Sequence, residues 1–192
     1  MDERELAGLR RRVHSLRRDA WAMVEDDELY DPEGALPMAE RAQAALRTME
    51  RALVALPEPH GAPEEAARWL RWERAETAYH VADLIERWLP DEPRLHERGL
   101  AAATAAFEAF RGRDLRASTH ALQLMTRMAP RVGRAEEAMG WVVEFRRGVP
   151  DEGAPGWFVP TCDRIVGELW DHHLLDGPVR SLAADGRTGP DS

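Results

Sequence analysis

Residues 63–89, PEEAARWLRWERAETAYHVADLIERWL, decide how the rest of this chain is read. After Pro63 the stretch holds neither Gly nor Pro, and it opens on Pro63, Glu64 and Glu65, as helices prefer to begin. At about 100° per residue, Ala66, Leu70, Thr77, Val81, Leu84, Ile85 and Trp88 share one apolar face, and Trp72, Ala75, Tyr79 and Ala82 share a second. Between the two faces runs a narrow polar stripe of Glu73, Glu76, His80, Asp83 and Arg87. A helix that is apolar on two sides needs cover on both, so this segment is expected at the centre of a helical domain.

Upstream, residues 2–29 read as a first helix with Leu6, Leu9, Val13, Leu16, Ala20 and Met23 in a three-four alternation. That is the narrow seam of a helix with one partner, and it predicts either docking on the second helix or a homodimer through the first helix; docking within the chain is favoured because Arg10, Arg11, Arg12, Arg17 and Arg18 would face their own copies across a dimer. A second helix is expected to start at Pro37 and run to Leu56, with Met38, Ala42, Ala45, Leu46, Met49 and Leu53 at helical spacing. The turn residues of 57–63, PEPHGAP, separate it from the central helix.

Downstream, Pro90 and Pro93 stop the central helix, and a fourth runs over 93–111 with Leu95, Leu100, Ala103, Phe107 and Phe110 inward. Arg111, Gly112 and Arg113 turn the chain, and Asp114 is placed to cap a fifth helix that ends near Pro130. A sixth covers 134–147, and Thr161 is expected to cap a seventh reaching Leu175. The loop between them, 148–160, carries Trp157 and Phe158 and is expected to be pinned by them, whereas 176–192 has the composition of a terminal tail. No run alternates with period two over a strand's length. The expected architecture is all-α: six to seven antiparallel helices in a bundle or stacked hairpins, forming one domain over 1–175, with 1–30 as a potential separate arm.

The hairpin at 93–130, with small residues from Ala101 to Ala106, Gly112 and Asp114 at its turn and Pro130 at its end, resembles a single tetratricopeptide-type repeat. The resemblance implies an architecture of stacked helical hairpins. Its first helix lacks the Trp, Gly and Tyr of that pattern, and no second copy follows at fixed period, so no binding residues are carried over.

Composition narrows the function classes. With 35 acidic against 26 basic residues the net charge is -9, which argues against general nucleic-acid binding. All the basic residues are Arg, and the chain has neither Lys nor Asn, a bias that GC-rich coding produces without selection on function. The single cysteine, Cys162, permits no internal disulfide. A charged N-terminus and the lack of an apolar run of membrane-spanning length give a cytoplasmic expectation without membrane insertion.

Three constellations carry chemistry. Glu73, Glu76, His80 and Asp83 follow spacings of three, four and three, so acids and an imidazole lie on one line where they could hold a divalent metal or move protons; the plainer reading is an ion-paired helix face, with Arg87 one turn beyond Asp83. The zinc-protease pattern is absent, and the acids occur in the wrong order for the ExxE and ExxD pairs of helical pyrophosphohydrolases. Cys162 near a helix start could be activated, but His172 and His173 lie about 15 to 17 Å along the same helix, out of reach. Trp69 projects from the polar stripe and is either an exposed anchor or roofed by another segment. The functional expectation is a non-catalytic helical interaction, scaffold or regulatory module. It takes no cofactor, is monomeric in preference to dimeric, and binds another protein through Trp69, Arg10, Arg11 and Arg17. The competing expectation is a small helical enzyme or metal-binding protein built on the stripe.

Overall fold

The computed structural model describes residues 3–26, 30–54, 64–150 and 152–173. Among these residues the chain is all-α, with no strand. Its helices are α1 (Glu3–Glu25), α2 (Pro32–Val54), α3 (Glu64–Trp88), α4 (Pro93–Phe110), α5 (Leu115–Met128), α6 (Ala135–Arg147) and α7 (Phe158–His173), with a 3-10 turn at Pro130–Val132. The break expected at 57–63 and the tail at 176–192 lie outside the described residues.

Two helix starts differ from expectation, and both differences come from proline. α2 begins at Pro32 and runs through Pro37. Asp31 caps it, its Oδ1 accepting from the Gly34 N–H at 2.9 Å. Proline directly after a capping aspartate is a strong start signal because the first-turn N–H groups have no helical partner to lose. The Asp31 N–H also donates to the Met23 carbonyl at 2.7 Å, closing the end of α1. At α7 the helix begins at Phe158, so Thr161 is inside it; its hydroxyl bonds back to the Trp157 carbonyl at 2.7 Å. Pro160 sits in the first turn, where it is tolerated, and Phe158, with 0% exposure, fixes the start. Trp157, by contrast, is exposed. The other expected cap holds: Asp114 Oδ1 accepts from the Ala117 N–H at 2.8 Å, and Gly112 supplies the positive φ, 73°, that the preceding turn requires.

The fold divides into two compact units, 1–125 and 126–192. In the first, α1 packs on α2, α2 on α3 and α3 on α4, and α1 also meets α3. Contacts of His14 with Trp69, Arg17 with Glu73 and Trp21 with His80 rise together along both chains, so α1 and α3 run parallel. α4 returns antiparallel to α3, with Trp72 against Phe110. Val13, Ala42 and Leu70 join α1, α2 and α3 in one apolar cluster with Leu9, Leu16, Ala45 and Trp69 around it. On α3, Val81, Ala82, Leu84 and Ile85 are buried in succession, as a helix covered on two sides requires.

In the second unit, α6 packs on the 3-10 turn and on α7. Phe145 meets Phe158 edge to face at 5.5 Å, and Val142 of α6 and Ile165 and Leu169 of α7 are also buried. Arg134 clasps Glu137 in a two-pronged ion pair at 2.9 and 2.6 Å, placing a carboxylate at the positive N-terminal end of α6.

Candidate functional site

The polar stripe of α3 is covered by α1. Arg17 Nη1 donates to Glu73 Oε2 at 2.6 Å, with the two side chains only 15% and 7% exposed. His14 Nε2 stands 3.6 Å from the other carboxylate oxygen. One turn on, the Trp21 ring meets His80 edge to face at 5.3 Å, and Tyr79 lies 6.0 Å from the same imidazole. His80 Nε2 is 3.9 Å from Glu76 Oε2, a distance for charge interaction but too long for a hydrogen bond. Asp83 is buried and held by Arg87 Nε at 2.9 Å.

These surroundings set the protonation states. Burial pushes His80 down to about 4, and the Arg17 guanidinium acts in the same direction. Glu76 is raised, first by burial and then by the Glu73 and Asp114 charges, with Arg17 opposing. At neutral pH the stripe therefore presents a neutral imidazole beside a carboxyl group whose proton is held more tightly than usual. Among the described residues no group of three or more His, Cys, Asp or Glu is placed to hold a metal ion, and Glu73, Glu76, His80 and Asp83 do not form one. The geometry gives the reason: Glu73 turns to Arg17 and Asp83 to Arg87, leaving only Glu76 and His80 beside each other.

Trp69 is half-buried, with Arg10 Cζ stacked 4.5 Å from its ring centroid and His14 6.4 Å away. Arg10 and Trp69 thus meet, Arg17 is turned inward to Glu73, and Arg11 is exposed on α1. Cys162 is buried in α7, and burial pushes its thiol up, the opposite of an activated nucleophile.

A second feature was not recognised in the sequence. Between α2, α3 and the end of α4 runs a concavity of about 500 Å³, walled by Arg47, Arg71, Arg74 and Arg113 and floored by Ala75, Ala78, Ala105 and Ala109. Glu108 is the one acid among its lining residues. It adjoins a hollow of about 470 Å³ that shares Arg71, Ala75, Ala109 and Arg113 and adds Arg68, Trp69 and Trp72. Trp72, placed on an apolar face by periodicity, is 41% exposed and leans edge to face on Phe110 at 5.2 Å. The available signal was the spacing of Arg68, Arg71 and Arg74, three apart on one side of α3. The alanines matter because short side chains leave room between the backbones of α3 and α4 that longer ones would fill.

No protein-family model, curated protein or solved structure matches the chain. Among the described residues no helix is long and apolar enough to cross a membrane.

Proposed function

We propose that this protein is a non-catalytic helical interaction module, scaffolding or regulatory, that works in the cytoplasm as a monomer and binds another protein in the groove between α2, α3 and α4. The observation that carries this reading is a contrast on α3. Its chemically rich stripe is spent on holding α1, whereas its opposite flank opens into a concavity with an exposed tryptophan and several arginines. Aromatic and Arg side chains around a concave apolar floor are the usual composition of binding hot spots. The seam of α1 is occupied within the chain by Ala42 and Leu70, which supports the monomer over a dimer through this helix. The net charge of -9 disfavours nucleic acid in general.

The enzyme or metal-binding alternative keeps one supporting observation, the adjacent Glu76 and His80 with oppositely shifted affinities for the proton. Metal analysis of the purified protein, with thermal melts in chelator and in added divalent ions, separates the two. The module reading expects no stoichiometric metal and unchanged melts. Bound metal at stoichiometry, lost in Glu76→Ala/His80→Ala, would overturn it.

A further inference from the structure

The groove collects positive charge on a molecule that is otherwise negative. Arg47 comes from α2, Arg71 and Arg74 from α3 and Arg113 from the turn after α4; Arg74 already has an interaction partner, and Glu108 is the one acid among the residues that line the groove with them. Like charges brought together from three elements repel one another, and a chain with 35 acidic residues had ample means to neutralise Arg71 and Arg113 locally. Among the described residues no ion pair joins Arg71 or Arg113 to a carboxylate. The groove is thus matched in charge to an anionic ligand supplied from outside.

Building on the interaction-module reading, we propose that this groove binds an acidic, amphipathic segment of a partner protein, its carboxylates on the arginines and an apolar side chain against Trp72. Three features select this occupant over a compact anion. The charges are spread over separate elements, Arg71 on α3, Arg47 on α2 and Arg113 on the turn after α4, so several separate acceptors are needed. Ala75 and Ala109 line both the groove and the hollow beside Trp72, so the two join in a trough into which a helix or extended strand can settle. The exposed indole at one end supplies an apolar contact that a phosphate or small carboxylate would leave unused. Guanidinium groups accept carboxylates in two-pronged fashion, which fixes the register of the segment as well as its affinity.

The test uses the full chain and a fluorescein-labelled peptide with Glu and Leu at helical spacing, read by anisotropy. Controls are the same peptide with Gln for Glu, and labelled oligothymidylate. Saturable binding is expected, weakening as salt rises and at least about tenfold weaker for the Gln peptide. Arg71→Glu/Arg113→Glu should lose about tenfold or more with an unchanged circular dichroism spectrum, and Arg71→Gln/Arg113→Gln should lose less. Trp72→Ala should weaken binding several-fold at constant salt dependence. Equal binding of the Gln peptide, tighter binding of oligothymidylate, indifference to the Arg variants or no saturable binding would each overturn the proposal. Failure of the module reading appears elsewhere, as stoichiometric metal in protein that has met no peptide, so the two outcomes are read separately.

Discussion

Glu73 carries a charge that α3 shares with α1. Its carboxylate is 7% exposed and is neutralised by Arg17 at 2.6 Å, so removing it leaves a guanidinium without its partner in a largely dry contact. Glu73→Ala is expected to cost about 3 kcal/mol in urea unfolding, whereas Arg17→Met/Glu73→Leu, which removes both charges and keeps the volume, should recover most of that loss. The sequence shows Glu73 in a stripe of polar residues but gives no hint of Arg17, which stands 56 residues earlier. His80 makes a prediction about pH. Its folded-state pKa is depressed to about 4 from 6.5, so the unfolded chain takes up a proton first as pH falls, and the stability this residue contributes, full above 6.5, is lost on the way down to about 4. Glu76 has the opposite sign, since a raised carboxyl favours the fold on acidification, and the two partly cancel in the wild type. Comparison with His80→Gln isolates the imidazole: between pH 7.5 and 4.5 the wild type should lose about 1 to 2 kcal/mol relative to the variant in urea midpoints. A parallel pH dependence of the two proteins would refute it.

At the scale of elements, α3 was legible because its pattern is dense, and its bounds at Glu64–Trp88 fall within a residue of those drawn from the sequence. α2 and α7 were less so, since in each a proline that reads as punctuation lies inside the helix. Where capping and burial both favour a start, as at Asp31 with Ala35, or at Phe158, they outweigh the proline. The packing of α3 predicts that Ile85→Asp, at a site with 0% exposure, abolishes the cooperative melt, and that Ile85→Val costs only about 1 kcal/mol. α1 gives a sharper test. It supplies Val13, Ala20 and Val24 to the core and the counter-charge to Glu73, so a variant lacking residues 1–26 should lose its cooperative transition rather than become a folded, shorter protein. Retention of a sharp melt would show α1 to be a detachable arm.

For the whole molecule, the expected observables are a helical far-UV spectrum without a sheet component, and a single species of monomer mass in sedimentation equilibrium, because the α1 seam is filled within the chain. A dimer that survived Leu9→Asp in a folded protein would have to use another face. The sequence by itself determined that this chain is helical, where most helices begin and end, and that α3 is covered on two sides. Each follows from local rules, namely helical periodicity, caps and the missing N–H of proline, which act within a few turns and need no knowledge of distant residues. Only the tertiary structure decided which residues the polar stripe of α3 would meet and where an open surface would remain. Whether Glu73 is a ligand or an ion-pair partner depends on Arg17, and whether Trp72 is core or exposed depends on how α3 and α4 pack around Ala75 and Ala109. Burial and charge pairing are sums over neighbours from separate helices, and such sums exist only once the helices have packed.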